Sequence, residues 1–197
     1  MKALLAFLLV CAAVPLFAEV QVIPLTAPDT YVYVQNANPS PQKVTIAFTS
    51  VKHTVDVGGY TTAQIRSTER GYVLVTSQFP VLTWTQIDSA VIAGVYLNTQ
   101  HRTFTARPNT GIAIANPWNE RTRITFWRYA AATGQPVDYK NAVIEPGNNL
   151  TGFLDDILGK SDGMQIAVLA ERRVAVAVAA CTVTCITLPV DATGASR

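Results

Sequence analysis

The chain is short of charge, of histidine and of sulfur. Charged side chains make up 14% of its 197 residues; there are two histidines, three cysteines and two methionines. Each shortage excludes something. With 15 basic and 13 acidic side chains and no basic run of five, there is no clustered positive face of the kind nucleic acid requires. His53 follows a lysine and His101 precedes an arginine. Both are expected at the surface, and an imidazole without an orienting partner lacks the geometry of a general base. The nucleophile elbow, the H-E-x-x-H zinc motif, the phosphate loop and the dinucleotide fingerprint are all missing. Asp155, Asp156 and Asp162 come closest to a cation site, but their spacing matches no EF-hand loop. Adjacent acids on a helix also point to different sides, which is poor geometry for paired acid–base work. No catalytic residue, cofactor or metal is expected.

The first eighteen residues, "MKALLAFLLVCAAVPLFA", run from one lysine through an apolar stretch to small residues. That is the layout of a secretory signal peptide cleaved after about Ala18. Lipid attachment at Cys11 is a minor alternative, because Val10 is a poor residue to precede it. No later segment has eighteen unbroken apolar residues, so no transmembrane segment is expected in the mature chain. The protein is expected to be secreted, periplasmic or held at the cell surface. Loss of Lys2 leaves the mature chain one basic side chain in excess.

Export bears on Cys181 and Cys185 in "ACTVTC". An even count in an oxidising compartment favours a disulfide. Fully extended, however, the two Cα atoms would stand roughly 13 Å apart, and a bond needs less than about 7 Å. The chain would have to reverse at Thr182–Thr184, which lacks the usual turn formers. The alternative is two free thiols on the same side of one strand. Asn149-Leu150-Thr151 spells a glycosylation sequon, which has meaning only in a host with that pathway.

What is present is strand signal. "VTIAF", "YVLVTS", "VLTWTQI", "GIAIAN", "RITFWRY", "MQIAVLA" and "VAVAVAA" are short β-branched and aromatic runs, most of them bounded by turn residues. The recurrence of short strands without long intervening helices predicts an all-β sandwich architecture. One exception is a short helix near 151–158, where Leu150, Phe153, Leu154, Ile157 and Leu158 fall at helical spacing. Thr151 is placed to cap its start and Gly159 to stop it.

The chain also repeats itself. Aligning Asn36 with Asn116 matches Val32 with Ile112, Val34 with Ile114, Val44 with Ile124, and Ile46 with Phe126. "VDVGG" at 55–59 then matches "IEPGN" at 144–148, and "GYVLVTSQFPV" at 71–81 matches "GMQIAVLAERRV" at 163–174. Ordered landmarks of this kind point to duplication and to two domains, 19–105 and 106–197. Asn36 and Asn116 read as turn makers at strand ends, as do Pro117, Gly58 and Gly147. The two copies differ in the turn itself: Asn38-Pro39 in one, Trp118-Asn119 in the other. Trp118 and Asn119 are therefore the candidate contact residues, since an amphipathic aromatic in a turn suits an interface or a stacked ligand. Tyr31 and Tyr33 share a strand face, and of Phe126 and Trp127 one must face outward.

The second half, "GIAIANP", "EPGNNLTGFLDDIL" and "GMQIAVLAERRVAVAVA", resembles an uncharacterised class of immunoglobulin-like β-sandwich modules found in tandem in secreted and cell-surface bacterial proteins. Gly111, Asn116, Pro117, Pro146, Gly147, Phe153, Leu154, Gly163 and Val174 carry the likeness over about residues 111–182; residues 31–88 carry it loosely and have no counterpart of "FLDDIL". The resemblance implies two tandem immunoglobulin-like sandwiches and no catalytic residue. The expected role is structural, adhesive or assembly-related, with a protein partner or self-assembly. The alternative is a carbohydrate- or small-ligand-binding module using exposed aromatics, so a glycan also stands as a partner class. The N-terminal "EVQVIPL" is expected to be a short edge strand, free to pair with a partner.

Overall fold

Alternating strands bury one face each, so they must pair into sheets and the sheets into layers. The computed structural model describes residues 19–87, 90–96, 100–181 and 185–187. The signal sequence expected at 1–18 lies outside this set, as do the side chains of Cys181 and Cys185. The first half contains β1 (Glu19–Thr26), β2 (Tyr31–Asn36), β3 (Gln42–Ala47), β4 (Lys52–Val57), β5 (Thr62–Arg66), β6 (Gly71–Ser77), β7 (Val81–Ile87), β8 (Ala90–Ala93) and β9 (Val95–Tyr96). The second contains β10 (His101–Thr105), β11 (Thr110–Ala115), β12 (Thr122–Tyr129), β13 (Pro136–Ile144), β14 (Asn149–Phe153), α1 (Leu154–Leu158), β15 (Gln165–Ala170), β16 (Ala175–Cys181) and β17 (Cys185–Thr187).

The strands form four antiparallel sheets, two per sandwich. In the first sandwich the orders are β4-β3-β6-β1-β9 and β5-β2-β7-β8; in the second they are β13-β12-β15-β10 and β14-β11-β16-β17. Apart from the short β9, the two orders match strand for strand. We call β4-β3-β6-β1 and its counterpart β13-β12-β15-β10 the A-type sheets, and the other two the B-type sheets. The expected all-β sandwich fold is what the chain adopts. The β2–β5 and β3–β6 pairings follow the B–E and C–F pairs of an immunoglobulin sandwich. The flanking strands do not: β1 lies beside β6 and β7 beside β2. β4 lies beside β3 and not β5, so the first, fourth and seventh strands all stand in the opposite sheet from the ABED and CFG arrangement.

Each sandwich has its own core. Ile23, Val32, Val34, Val44, Ile46, Val73 and Val75 fill the first. Ile112, Ile114, Ile124, Phe126, Ile166, Val176 and Val178 are among those that fill the second. Phe126 is the inward member of its pair and Trp127 the outward one. A third cluster joins the sandwiches: Val22, Tyr72, Leu74 and Val95 from the first sandwich's A-type sheet meet Ala115 and Ala175 from the second's B-type sheet. The sequence of that B-type sheet explains the contact. In β11 isoleucine alternates with Ala113 and Ala115, and in β16 valine alternates with Ala175, Ala177 and Ala179. The large residues fill the second core, and the alanines leave a low surface on which another sheet can lie. Asn149 Nδ2 donates to Pro24 O at 3.3 Å across the same junction. Burial there raises the pKa of Tyr72 above its usual value.

Two expectations are corrected. The N-terminal strand is not an edge, because β1 runs between β6 and β9. Gln21 and Ile23 on one face and Val22 on the other are all buried, the second face covered by the other sandwich. The helix lies inside the expected span but starts later, and Thr151 does not cap it. Thr151 pairs with Ala113 in β14, which holds to Phe153; Phe153 is the N-cap and makes no side-chain cap bond. Gly159, at φ 82°, ends the helix as expected.

The alanine surface makes a direct prediction. Ala175→Leu should cost about 2 kcal/mol by overpacking the junction, whereas Val143→Ala on exposed β13 should stay within about 0.5 kcal/mol. Urea denaturation of the two variants against the wild type checks this.

Candidate functional site

The two asparagines that anchor the sequence repeat are fully buried, and a buried carboxamide must find partners for every polar atom. They find the same ones. Asn36 Nδ2 donates to the carbonyls of Ser40, Val57 and Gly58 at 2.9, 3.2 and 3.1 Å. Asn116 Nδ2 donates to Glu120, Ile144 and Glu145 at 2.8, 3.1 and 3.2 Å. Each Oδ1 accepts the backbone N–H two residues on, from Asn38 at 3.0 Å and from Trp118 at 3.3 Å. One side chain thus ties its own turn to the end of the next hairpin. These bonds align Gly58 with Glu145, and Tyr60 with Gly147. The landmarks at 55–59 and 144–148 therefore match two residues away from the sequence alignment. Tyr60 (φ 55°) and Gly147 (φ 69°) share the left-handed backbone the turn demands, and Pro117 follows its asparagine at the strand end.

The structure also reveals matches the sequence reading missed. Ala27-Pro28-Asp29-Thr30 and Arg107-Pro108-Asn109-Thr110 form like turns. Asp29 and Asn109 have φ 64° and 55°, and the threonine hydroxyls donate back to Ala27 O and Arg107 O at 2.6 and 2.7 Å. The shared P-x-T spelling was the available signal. Phe79 N donates to Gln42 Oε1 at 2.9 Å, and Arg172 N to Thr122 Oγ1 at 3.3 Å.

Trp118 now has a structural account. Asn38 Nδ2 donates to Pro80 O at 3.0 Å. In the second copy the indole Nε1 of Trp118 donates to Arg173 O, the corresponding carbonyl. The tryptophan makes the bond that an asparagine makes in the first sandwich, and the residue remains 40% exposed. Asn119 beside it borders an open cleft of about 660 Å³, with Glu120, Arg121, Glu145, Glu171 and Arg172 around it. Its charges are largely paired: Arg172 with Glu120, and Arg123 with Glu171 at 3.7 Å. Such a cleft offers compensated surface charge and little apolar wall, unlike the concave apolar pockets that hold small ligands.

Exposed aromatics gather elsewhere, on the faces turned away from the junction. On the first sandwich Tyr33 stacks on Trp84 at 5.2 Å with Tyr31 beside it at 6.3 Å. On the second, Trp127 lies 4.9 Å from Tyr139 and 6.4 Å from Tyr129. Cross-strand register creates both groups, Tyr33 opposite Trp84 and Trp127 opposite Tyr139. Spacing along the chain could not show the pairs without the strand order. Thr125 donates to Asn141 at 2.8 Å on the same outer face as Trp127.

Other candidate groups are accounted for more simply. His53 is half-buried with its ring edge-on to Phe48 at 5.9 Å. Asp155 accepts the Ser161 N–H at 2.9 Å, closing the turn after α1. Among the described residues no three His, Cys, Asp or Glu side chains come together to hold a metal. Nor is any helix there long and apolar enough to cross a membrane. Arg128 bonds Asp138 through both Nε and Nη2 and gives a third bond to Lys160 O at 2.9 Å. The hydrogen bond from Arg128 holds the Asp138 carboxyl below its usual range. Cys181 and Cys185 are opposed partners of the β16–β17 pair, so the chain makes the reversal a bond requires; their side chains lie outside the described residues.

Because Asn36 and Asn116 each serve three carbonyls, Asn36→Ala and Asn116→Ala should each lower stability by about 3 kcal/mol. Asn116→Asp sets a carboxylate against those oxygens, so its folded-state pKa rises above the unfolded value. Its stability should be highest below the ordinary carboxyl range and fall as pH rises through it; denaturation across pH measures both. Comparison with known proteins finds no matching family model, no matching curated protein and no matching solved structure.

Proposed function

We propose that this is an exported, non-enzymatic structural, adhesive or assembly protein, built from two related β-sandwich modules that arose by duplication. The observation that carries the reading is the location of the aromatics. The tyrosine and tryptophan groups stand on the two outermost sheet faces, where such residues are enriched at interfaces. Buried polar side chains, by contrast, hold turns and strand ends together. In this reading the modules are relatives of the tandem immunoglobulin-like class with their flanking strands exchanged. Introducing a photo-cross-linking phenylalanine analogue at Leu82 or Tyr139 in the producing cell should trap protein adducts. A chain that stays single at both positions would sink the proposal.

A glycan-binding reading draws on one observation, the Trp127–Tyr139 pair flanked by the Thr125–Asn141 hydrogen bond, since aromatic rings and polar groups together suit a sugar. A glycan array probed with wild type, Tyr139→Ala and Trp118→Ala separates the two. The structural reading expects no binding. A glycan bound by wild type and lost on Tyr139→Ala transfers the assignment to the ligand reading.

Export also predicts the state of the cysteines. Directly opposed residues in an antiparallel pair lie about 4.5 to 5.5 Å apart at Cα, within the span a disulfide accepts. Peptide mapping of chain recovered from an oxidising compartment should find Cys181 and Cys185 blocked to alkylation until reduced. Quantitative alkylation of both without reduction would count against the bond.

A further inference from the structure

A strand at the end of a sheet turns a row of backbone N–H and C=O groups away from its one neighbour. β13 ends the second sandwich's A-type sheet and pairs only with β12. At nine residues it is the longest of the described strands. Its counterpart β4 starts at Lys52, opposite Ala47. The β12–β13 hairpin runs on past the equivalent pair, Trp127 and Tyr139, to Arg128 opposite Asp138 and Tyr129 opposite Pro136. Residues 136–141 are exposed on both faces of the strand as well as along its edge. The extension is nevertheless anchored. Arg128 bonds Asp138 through Nε and Nη2 and Lys160 O through Nη1, and Lys140 Nζ donates to Ile157 O. An edge already held in strand geometry loses little further freedom when another strand adds to it.

We infer that β13 pairs antiparallel with β13 of a second copy of this chain, about a twofold axis at Tyr139. This rests on the structural reading above and names the partner met by its Tyr139 face. The charges on the edge select both the occupant and the register. Centred on Tyr139, the pairing sets Asp138 opposite Lys140 of the second copy and Lys140 opposite Asp138 of the second copy. Two complementary pairs form, and each Asp138 keeps its bonds to Arg128. Centred one residue earlier, the pairing sets Asp138 against Asp138; one residue later, it sets Lys140 against Lys140. Like charges directly opposite are destabilising, so both neighbouring registers are disfavoured. In the favoured one the outer face carries an unbroken aromatic row across the axis, Trp127 and Tyr139 of one copy followed by Tyr139 and Trp127 of the other. The contact uses the same strand on both sides, so it closes at a dimer.

Charge exchange on the mature chain tests this. In sedimentation velocity, wild type should shift from monomer to dimer with rising concentration and stop there. Asp138→Lys alone sets lysine against lysine, and Lys140→Asp alone sets aspartate against aspartate, so each should weaken dimerisation at least tenfold. Mixed in equal amounts, the two variants restore both complementary pairs and should form a heterodimer. Because Asp138→Lys also removes the partner of Arg128, a second pair of variants reads the register separately. On treatment with oxidised glutathione, Tyr139→Cys should give a dimer linked through position 139, since opposed residues lie within disulfide reach. Val143→Cys, exposed on the same strand, should give none through position 143. Wild type that stays monomeric at every concentration overturns the inference, as does wild type that grows beyond a dimer. So does a mixture no tighter than its components together with equal cross-linking at 139 and 143. Cellular adducts at Tyr139 to a different protein, with the pure chain monomeric, sink only the strand pairing; absence of any adduct sinks the structural reading itself.

Discussion

The fold depends on a sheet that must be apolar on both faces. β11 and β16 cover the second core with isoleucine and valine and lie against the first sandwich with alanine. An ordinary sandwich strand alternates apolar with polar because its outer face meets water. Here Ala113, Ala115 and Ala175 are buried on the outer face as well, and the alternation becomes one of size. Bulk on both faces would hold the sheets apart and leave voids, at a cost that grows with the empty volume. Alanine lets them approach while Val22, Leu74 and Tyr72 supply the contact from the other side. Once that pair of faces is used, the outward surfaces of the molecule follow.

A second constraint acts at the strand ends. A sheet whose side chains alternate with period two can slip by one residue only by turning its core outward. Asn36 and Asn116 oppose such slippage by binding three carbonyls from two separate segments. Each carboxamide is specific to one geometry, and both copies use it with donor–acceptor distances that agree within about 0.3 Å, well inside the ordinary spread of such bonds. At Trp118 an indole N–H reaches the carbonyl whose counterpart in the first sandwich is served by an amide, so different side chains make the same bond.

Much of the fold was legible in the sequence because period-two patterning is local. The strands, the asparagine repeat and the helix with its Gly159 stop depend on neighbours in the chain. What escaped depends on strand order. "EVQVIPL" has the spelling of an edge strand, yet lies between two others because β6 and β9 pair with it across long separations. Thr151 has the spelling of a cap, but backbone pairing with β11 takes that segment into a strand first. At the candidate contact faces Trp118 was visible as a turn residue, while Tyr33–Trp84 and Trp127–Tyr139 became visible only once the register brought them together. The glycine landmarks misled by two residues because a left-handed position can be filled by Tyr60 as well as by Gly147.

The two halves therefore differ least where they are buried and most where they face outward. Val32 and Ile112, Val34 and Ile114, Val44 and Ile124, and Ile46 and Phe126 are apolar on both sides of the comparison and buried in both cores. At outward positions of the same strands the sizes trade places: Tyr33 against Ala113, Trp84 against Ala177, Ala47 against Trp127. A core accepts apolar exchange so long as pattern and total volume are kept, so the interior says little about which sandwich is which. The sheet faces say more. The low face of β11 and β16 accepts Val22 and Leu74, so the exchange of sizes decides which sheet of each sandwich meets the other.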